Sequence, residues 1–309
     1  MKKHIILLLF FAAFSIQINA QSLIGNQTPI LVKTASYGAT QNALLSLPDD
    51  YNVTNDKYPL IIFLHGYGEI GSGVAGLKNL IGQGLPQVIA NGNKIQAVDP
   101  ATGKLTKFIV ISPQHWAWTT APDAIDFMLS DLPKSYRIDT DRIYLTGLSS
   151  GGQGVIQAVT YSQGLLNKLA AIIPMSPSAP DEGTLKKFSF FKEAKTSAWF
   201  FSGASDPGNM TDNARRYNDS INKYSPGASK LTLYPGGHCC WADIYNPSHK
   251  ENGVSMYEWL LTKVKGGAIT EPPVVTPPVD TVPVITRKLI SVIRVYDNNG
   301  VIEAIPEKE

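Results

Sequence analysis

The sequence has few cysteines and no excess of charge of either sign. Only two of its 309 residues are cysteines, Cys239 and Cys240, and because they are adjacent they cannot cross-link distant parts of a fold. We expect two small packed side chains here rather than a disulfide, since a bond between neighbouring cysteines closes a strained eight-membered ring. Lys and Arg number 27 against 25 Asp and Glu. This balance argues against a protein that binds nucleic acid.

Long apolar runs are also missing, with one exception at the N-terminus. Lys2 and Lys3 precede an apolar stretch over Ile5–Phe14, and a polar run then ends at Ala20. This layout predicts a secretory signal peptide over residues 1–20. The apolar stretch is shorter than the roughly 20 residues that a membrane span needs. We therefore expect no stable membrane span, and a mature protein that is secreted or periplasmic.

From Leu44 to Lys265, short apolar runs alternate with amphipathic stretches, which is typical of an α/β domain. Several runs have no polar interruption, as expected of strands buried on both faces. We predict one domain over residues 21–266 with a doubly wound, mostly parallel sheet of about eight strands. The pattern predicts seven strands individually, at Ala43–Leu47, Leu60–Leu64, Phe108–Ile111, Arg142–Thr146, Leu169–Met175, Ala198–Ser202 and Lys230–Tyr234. It also predicts four helices, at Ala121–Leu132, Gln153–Ser162, Asp212–Tyr224 and Ser255–Val264.

The composition changes after residue 266. Five prolines within Glu271–Pro283 predict a semi-rigid linker over residues 267–283. Beyond it, Lys288–Tyr296 and Val301–Ile305 alternate in polarity around Asp-Asn-Asn-Gly, which predicts a β-hairpin within residues 284–309. This tail is too short to build a core of its own, so it is either a docked segment or part of a longer module.

The segment RIYLTGLSSGGQG, residues 142–154, combines a predicted strand, the pattern G-x-S-x-G and a helix-like run. A nucleophile at such a sharp strand-to-helix turn has strained dihedral angles, and its neighbours two residues away must be small for the backbone to close. Gly147 and Gly151 meet that requirement. The pattern therefore predicts Ser149 as the nucleophile of a serine hydrolase.

In enzymes with this turn, an acid and then a histidine follow the serine along the chain. His238 and His249 are the two histidines that qualify. We favour His238 as the base because it follows a predicted strand through a short Pro-Gly-Gly loop. Asp206 follows the preceding predicted strand and is the favoured acid, with Asp212 and Asp243 as alternatives.

A glycine-rich loop after the first buried strand predicts an oxyanion hole. Its Tyr67 N–H and the Ser150 N–H are the expected donors. Gly66, Gly68 and Gly71 also spell G-x-G-x-x-G, a dinucleotide-binding fingerprint. The acidic residue that this fingerprint needs about 20 residues later is missing. We therefore expect no dinucleotide here, and the predicted serine hydrolase implies neither an organic cofactor nor a metal.

Three tryptophans are candidates for substrate contact. Trp116 and Trp118 follow a predicted strand, and Trp241 lies three residues after His238. We expect them to line the acyl or alcohol pocket, with ordinary core and rim packing as the alternative.

Six motifs occur in order over residues 43–265, namely LPDDY, YPLIIFLHGYGE, PQ at residues 113–114, DRIYLTGLSSGG, FFSGASD and GGHCCW. Together they resemble the α/β-hydrolase superfamily, and more narrowly secreted esterases of the feruloyl esterase and polyhydroxybutyrate depolymerase kind with their peptidase-labelled relatives. The resemblance implies Ser149 as nucleophile, Asp206 as acid, His238 as base, and Tyr67 with Ser150 as oxyanion donors. Many relatives have methionine or another bulky residue where this chain has Ser150, so the pocket floor is expected to differ.

We accordingly expect a serine hydrolase that cleaves carboxylic esters, of carbohydrate-linked acetyl or feruloyl groups or of a polyester. A serine peptidase of the prolyl-oligopeptidase-like kind is the first alternative, although such enzymes often carry a large gating domain for which we identify no segment. The second alternative is a non-catalytic carbohydrate-binding or adhesion protein, in which the three predicted catalytic residues would have no function. The sequence predicts no oligomeric state.

Overall fold

The computed structural model describes residues 22–35, 38–178, 180, 182–267, 295–296 and 302–303. In chain order, its strands are β1 (Thr28–Lys33), β2 (Thr40–Ser46), β3 (Tyr58–Leu64), β4 (Gln96–Val98), β5 (Leu105–Lys107), β6 (Ile109–Pro113), β7 (Ile138–Leu148), β8 (Ala171–Met175), β9 (Ser197–Gly203), β10 (Ser229–Tyr234), β11 (Val295–Tyr296) and β12 (Ile302–Glu303). Its α-helices are α1 (Gly73–Gly76), α2 (Gly84–Ala90), α3 (Pro122–Asp131), α4 (Ser150–Tyr161), α5 (Gln163–Leu166), α6 (Glu182–Lys187), α7 (Phe191–Ala194), α8 (Met210–Tyr224), α9 (Trp241–Tyr245) and α10 (Met256–Leu261).

Eight strands form the central sheet in the order β1-β2-β6-β3-β7-β8-β9-β10. The pairings from β6 to β10 are all parallel, whereas β1 pairs with β2, and β2 with β6, in the antiparallel sense. The carboxyl ends of the six parallel strands therefore lie at one edge of the sheet. In open α/β sheets, ligand sites form at this edge.

The sheet is buried on both faces, and β3 shows how the sequence achieves this. Leu60, Ile62 and Leu64 belong to a core cluster that includes residues of α3, α4 and α8. Ile61 and Phe63 point to the opposite face and belong to a cluster with residues of α2, α9 and α10. Because successive side chains of a strand alternate between faces, an uninterrupted apolar run supplies both clusters at once.

The fold prediction is confirmed: the sheet has eight strands and is mostly parallel, with helices on both faces. All seven predicted strands are present in it, and the four predicted helices correspond to α3, α4, α8 and α10. The sequence analysis missed β1, an edge strand on which Leu31 is 64% exposed, because its short run lacks a clear apolar pattern. It also missed the small hairpin of β4 and β5 and six short helices.

Contacts divide the chain into two units, Met1–Pro272 and Pro273–Glu309. The first contains the central sheet. In the second, β11 and β12 pair in the antiparallel sense. The predicted signal peptide and nearly all of the predicted linker lie outside the described residues. No helix in the described ranges combines the length and apolar character required to cross a membrane.

Candidate active site

Three parallel strands, β7, β9 and β10, end at the same edge of the sheet and lead into the three predicted catalytic residues. Ser149 follows β7, Asp206 lies just past β9, and His238 lies in the loop after β10. The structure thus brings together residues that are up to 89 positions apart in the sequence.

The turn at Ser149 has the backbone conformation that the sequence predicts. Its φ of 54° and ψ of −120° lie in a region that side-chain-bearing residues rarely adopt. Its N–H donates to the Met175 carbonyl oxygen at 2.9 Å. A Cβ placed on Gly147 would lie 2.6 Å from the Gly151 carbonyl oxygen, and one on Gly151 would lie 2.1 Å from the Leu64 carbonyl oxygen. Only glycine fits at both positions.

A continuous hydrogen-bond chain joins Asp206, His238 and Ser149. The His238 Nδ1 atom lies 2.8 Å from Asp206 Oδ1, and the Nε2 atom lies 2.9 Å from Ser149 Oγ. Since a carboxylate only accepts, Nδ1–H is the donor to Asp206, and Nε2 of the neutral ring accepts from the Ser149 hydroxyl. The Asp206 side chain is fully buried, whereas that of His238 is 27% exposed. The Ser202 hydroxyl donates to the second Asp206 oxygen at 3.4 Å, a contact the sequence analysis missed.

The alternative candidates lie elsewhere. His249 pairs through Nε2 with Glu251 at 2.7 Å. Asp212 is 75% exposed and faces Arg215 at 3.8 Å, on the first turn of α8. Asp243 is an exposed residue in the first turn of α9. Neither these aspartates nor His249 appears in the hydrogen-bond chain to Ser149.

The loop after β3 has an ordered peptide between Gly66 and Tyr67. The His115 N–H donates to His65 Nε2 at 3.1 Å, so the proton of the neutral His65 ring is on Nδ1, which donates to the Gly66 carbonyl at 2.7 Å. The Glu69 N–H donates to the same carbonyl at 3.3 Å. Because the peptide is planar and trans, fixing this carbonyl also fixes the Tyr67 N–H on its opposite side.

Burial shifts the pKa of both ionisable side chains that hold this loop. It lowers the pKa of His65 to about 3, with a smaller contribution from the nearby His115. It raises the pKa of Glu69, whose carboxylate lies against the Gly66 backbone. His65 is therefore a neutral hydrogen-bonding group at neutral pH, which suits a fixed position better than proton transfer.

Gln114 holds the same loop from the neighbouring strand. Its side-chain amide donates to the carbonyl oxygens of Glu69 at 3.1 Å and Gly76 at 2.7 Å. Glycine at position 71 leaves room for this amide, since a Cβ on Gly71 would lie 2.6 Å from Gln114 Nε2. The sequence analysis noted the Pro-Gln motif without assigning it a function. The sequence signal that could have identified Gln114 is the position of the motif directly after a buried predicted strand, at the sheet edge where ligand sites form.

The tryptophans differ in their surroundings. Trp116 and Trp118 are 80% and 52% exposed, and the Trp118 ring lies 5.4 Å from that of Tyr67. Trp241 is only 6% exposed and packs edge-on against His238, with ring centroids 4.8 Å apart. Trp241 thus packs with the core cluster that includes residues of α2 and α10 and also contacts His238. Ser150 is buried at the start of α4.

The expectation for the two cysteines is wrong. Cys239 and Cys240 are joined by a disulfide, and both residues are exposed rather than packed in the core. The pair directly follows His238 in a loop that contains Gly236 with a φ of 138° and Cys240 with a φ of 68°. These unusual backbone conformations bring the two sulfur atoms together, and sequence patterns did not predict them.

No group of three or more His, Cys, Asp or Glu side chains suited to a metal ion occurs within the described part of the chain.

Comparisons with known proteins relate the chain to solved structures. No protein-family model matches the sequence, and a search of curated proteins finds no match. A thermostable esterase is 25% identical with a TM-score of 0.56, over 78% of this chain and 64% of that one. A ferulic acid esterase is 17% identical over 71% and 92% of the two chains, with a TM-score of 0.49. The dipeptidyl peptidase 4 of Porphyromonas gingivalis is 14% identical over 69% and 32%, with a TM-score of 0.48.

The chain thus spans just under two thirds of the length of the thermostable esterase. The likeness to that esterase covers 78% of this chain. This chain has the α/β-hydrolase fold, and the solved structures that it resembles include esterases of that superfamily.

Proposed function

We propose that the protein is a secreted serine hydrolase that cleaves carboxylic esters. The observation that carries this proposal is the hydrogen-bond chain from Asp206 through His238 to Ser149, with lengths of 2.8 and 2.9 Å. Such a chain activates a serine hydroxyl, which is otherwise a weak nucleophile. The esterase of similar structure supports the choice of ester as substrate. Secretion rests on the predicted signal peptide.

In the proposed reaction, Ser149 Oγ attacks the ester carbonyl carbon while its proton passes to His238 Nε2. The carbonyl oxygen becomes an oxyanion, which accepts hydrogen bonds from the N–H groups of Tyr67 and Ser150. The bond to the alcohol oxygen then breaks, and the alcohol leaves with the proton from His238. Asp206 stabilises the imidazolium ion during this exchange.

Water completes the cycle. It attacks the acyl group on Ser149 as His238 removes its proton, and the second tetrahedral intermediate is stabilised by the same two N–H groups. Breakdown of that intermediate releases the carboxylic acid and returns the proton to Ser149. Every proton transfer uses the one imidazole, so the mechanism requires no cofactor.

The decisive experiment measures hydrolysis of p-nitrophenyl acetate and of a matched p-nitroanilide by the wild-type protein. We expect ester hydrolysis with a much lower rate on the amide. A preference for the amide would identify a peptidase, and no hydrolysis of either substrate would favour a binding protein. Comparison of acetyl, butyryl, feruloyl and palmitoyl esters then tests the expected preference for small or aromatic acyl groups, which a palmitoyl preference would contradict.

A further inference from the structure

The disulfide between Cys239 and Cys240 directly follows the candidate base. Both cysteines are exposed, and the sequence contains no others. They are also the only residues between His238 and Trp241, whose rings pack edge-on with centroids 4.8 Å apart. Trp241 is the first residue of α9 and lies in the core. The conformation of the cysteine pair therefore determines how His238 is connected to the core.

The backbone of the pair is unusual at Cys240. Its φ of 68° and ψ of 14° lie in the left-handed region, which is unfavourable for a residue with a Cβ. The Cys240 carbonyl oxygen accepts from the N–H groups of Asp243 and Ile244 at 3.2 and 3.3 Å, and the Cys239 carbonyl oxygen accepts from the Tyr234 hydroxyl at 2.9 Å. The ring that the disulfide closes includes the peptide between the cysteines. It therefore limits rotation on both sides of that peptide and helps to hold Cys240 in the left-handed region.

The sulfur atoms also lie against the segment that contacts the loop of the candidate acid. A Cβ placed on Gly236 would lie 3.5 Å from Cys239 Sγ and 3.6 Å from Cys240 Sγ. The Gly236 carbonyl oxygen accepts from the Ser205 N–H at 2.9 Å, and Asp206 is the next residue. The disulfide thus packs on backbone that joins the loop of the base to the loop of the acid.

The proposed reaction depends on the position of the imidazole. His238 Nε2 must stay within hydrogen-bond reach of Ser149 Oγ to take its proton, and the two atoms are 2.9 Å apart. A displacement of about 1 Å in such a group can lower a rate about 10²-fold. The His238 side chain is 27% exposed, so its contacts with Asp206 and Trp241 hold it in place rather than complete enclosure. A change in the segment between His238 and Trp241 is therefore expected to act on kcat.

The exposure of the disulfide makes it accessible to a dithiol. One thiolate of the dithiol attacks a sulfur of the pair, which forms a mixed disulfide and releases the other cysteine as a thiol. The second thiolate of the dithiol then displaces the remaining cysteine. The dithiol supplies both electrons and both protons and becomes a disulfide itself. Exposed disulfides are typically the labile and regulatory ones.

We propose that the disulfide between Cys239 and Cys240 is a redox-sensitive positioning device for His238, and that dithiols are the class of reagent that acts on it. The oxidised pair holds the segment between His238 and Trp241 in the conformation described above and supports full activity. Reduction releases Cys240 from the left-handed region, loosens this connection and lowers kcat. The inference rests on the proposed ester hydrolysis, which gives His238 its role.

The first measurement is the redox state of the purified protein. A thiol-specific reagent should detect no free thiol in the denatured wild-type protein and two after incubation with dithiothreitol, because the chain has two cysteines. The intact mass should be that of a monomer that gains two hydrogen atoms on reduction. Free thiols in the untreated protein, or a disulfide between two chains, would overturn the proposal.

The second measurement compares kcat and KM for p-nitrophenyl acetate in the oxidised, reduced and reoxidised wild-type protein. Dithiothreitol is removed under nitrogen before the assay, because its thiolates cleave this ester themselves. We expect reduction to lower kcat about 10-fold or more with a smaller change in KM, and reoxidation to restore it. A lower melting temperature with unchanged kcat would show that the disulfide has a purely structural role.

Variants provide the matched controls. Cys239→Ser combined with Cys240→Ser should have the kcat of the reduced wild-type protein and should not respond to dithiothreitol. Wild-type kcat in this variant would contradict the proposal. Cys239→Ser combined with Cys240→Asn should recover part of the lost kcat, because asparagine tolerates the left-handed region better than serine does. Equal kcat in the two double variants would show that the disulfide does not act through the conformation of Cys240.

The rate of labelling by a fluorophosphonate separates this inference from the proposed function, since labelling requires an activated serine but no preference for esters. We expect slower labelling of the reduced protein. If neither form hydrolyses an ester but reduction slows labelling, the redox control of His238 stands and the proposed ester hydrolysis fails. If both forms hydrolyse the ester with the same kcat, the redox control fails and the proposed function stands.

Discussion

The imidazole rings of His65 and His115 stack face to face inside the protein, with centroids 3.7 Å apart and planes 11° from parallel. Two imidazolium ions cannot share this position, because burial and their mutual repulsion both oppose protonation. The His65 ring instead links the Gly66 carbonyl in the loop after β3 to the His115 N–H in the loop after β6, and the His115 ring donates to the Ala117 carbonyl within its own loop. This pair makes the stability of the fold sensitive to acid.

We expect the free energy of unfolding to fall as the pH is lowered from 6.5 towards 3. The unfolded chain protonates both histidines near their ordinary value of 6.5, whereas the pKa of His65 in the folded chain is about 3 and that of His115 is also lowered. Each histidine then contributes a slope of up to about 1.4 kcal/mol per pH unit. Glu69 acts in the opposite sense between its raised pKa and 4.5 and offsets part of the fall.

Urea denaturation between pH 4 and 8 measures this dependence, with His65→Asn as the comparison. The asparagine amide keeps a donor for the Gly66 carbonyl but does not titrate. Below pH 6.5, the free energy of unfolding of this variant should change less with pH than that of the wild type. An equal change would show that His65 is not a source of the acid sensitivity.

Ser149→Ala should lower the rate of ester hydrolysis at least about 10³-fold, because the remaining groups stabilise charge but provide no nucleophile. A fluorophosphonate should label the wild-type protein and leave this variant unlabelled. The control is Ser248→Ala, at an exposed serine in the loop after α9, which should retain activity and labelling. Labelling of a different serine would refute the assignment of the nucleophile.

His238→Ala should abolish ester hydrolysis, since among the described residues its imidazole is the one proton acceptor bonded to Ser149 Oγ. His249→Ala should leave kcat unchanged, because that ring pairs with Glu251 instead. Steady-state kinetics of the two variants decide which histidine is the base. The reverse pattern would make His249 the base.

Asp206→Asn should lower kcat by about 10³- to 10⁴-fold, because an amide no longer stabilises the imidazolium or selects its tautomer. Asp212→Asn is the matched control: its carboxylate is 75% exposed, and its loss removes only a surface ion pair. Comparable losses in both variants would contradict the assignment of the acid.

Gln114→Ala should lower kcat about 10- to 100-fold with a smaller change in KM. The substitution removes the two hydrogen bonds that hold the loop of Tyr67, and a displaced oxyanion donor weakens binding of the transition state more than that of the substrate. Measurement of kcat and KM for p-nitrophenyl acetate tests this prediction, and the melting temperature of the variant shows whether its fold is intact. An unchanged kcat would show that the loop keeps its position without Gln114.

The sequence by itself determined the layers of the fold and the turn at Ser149. Apolar runs such as that of β3 require burial on both faces, and the pattern G-x-S-x-G supplies glycine at both positions where the turn leaves no room for a Cβ, Gly147 against the Gly151 carbonyl and Gly151 against the Leu64 carbonyl of β3. The order of motifs also narrowed the candidate acid and base to a few residues. Their chemical roles remain predictions.

Only the tertiary structure decided which groups surround these residues. The stacking of His65 on His115 and the bonds from Gln114 to the loop after β3 join segments that no periodicity relates. The disulfide between Cys239 and Cys240 depends on the path of a loop between β10 and α9. The contacts of His65 and Gln114, by contrast, arise when the sheet aligns its strand ends, because strand order, and not distance along the chain, determines which loops meet.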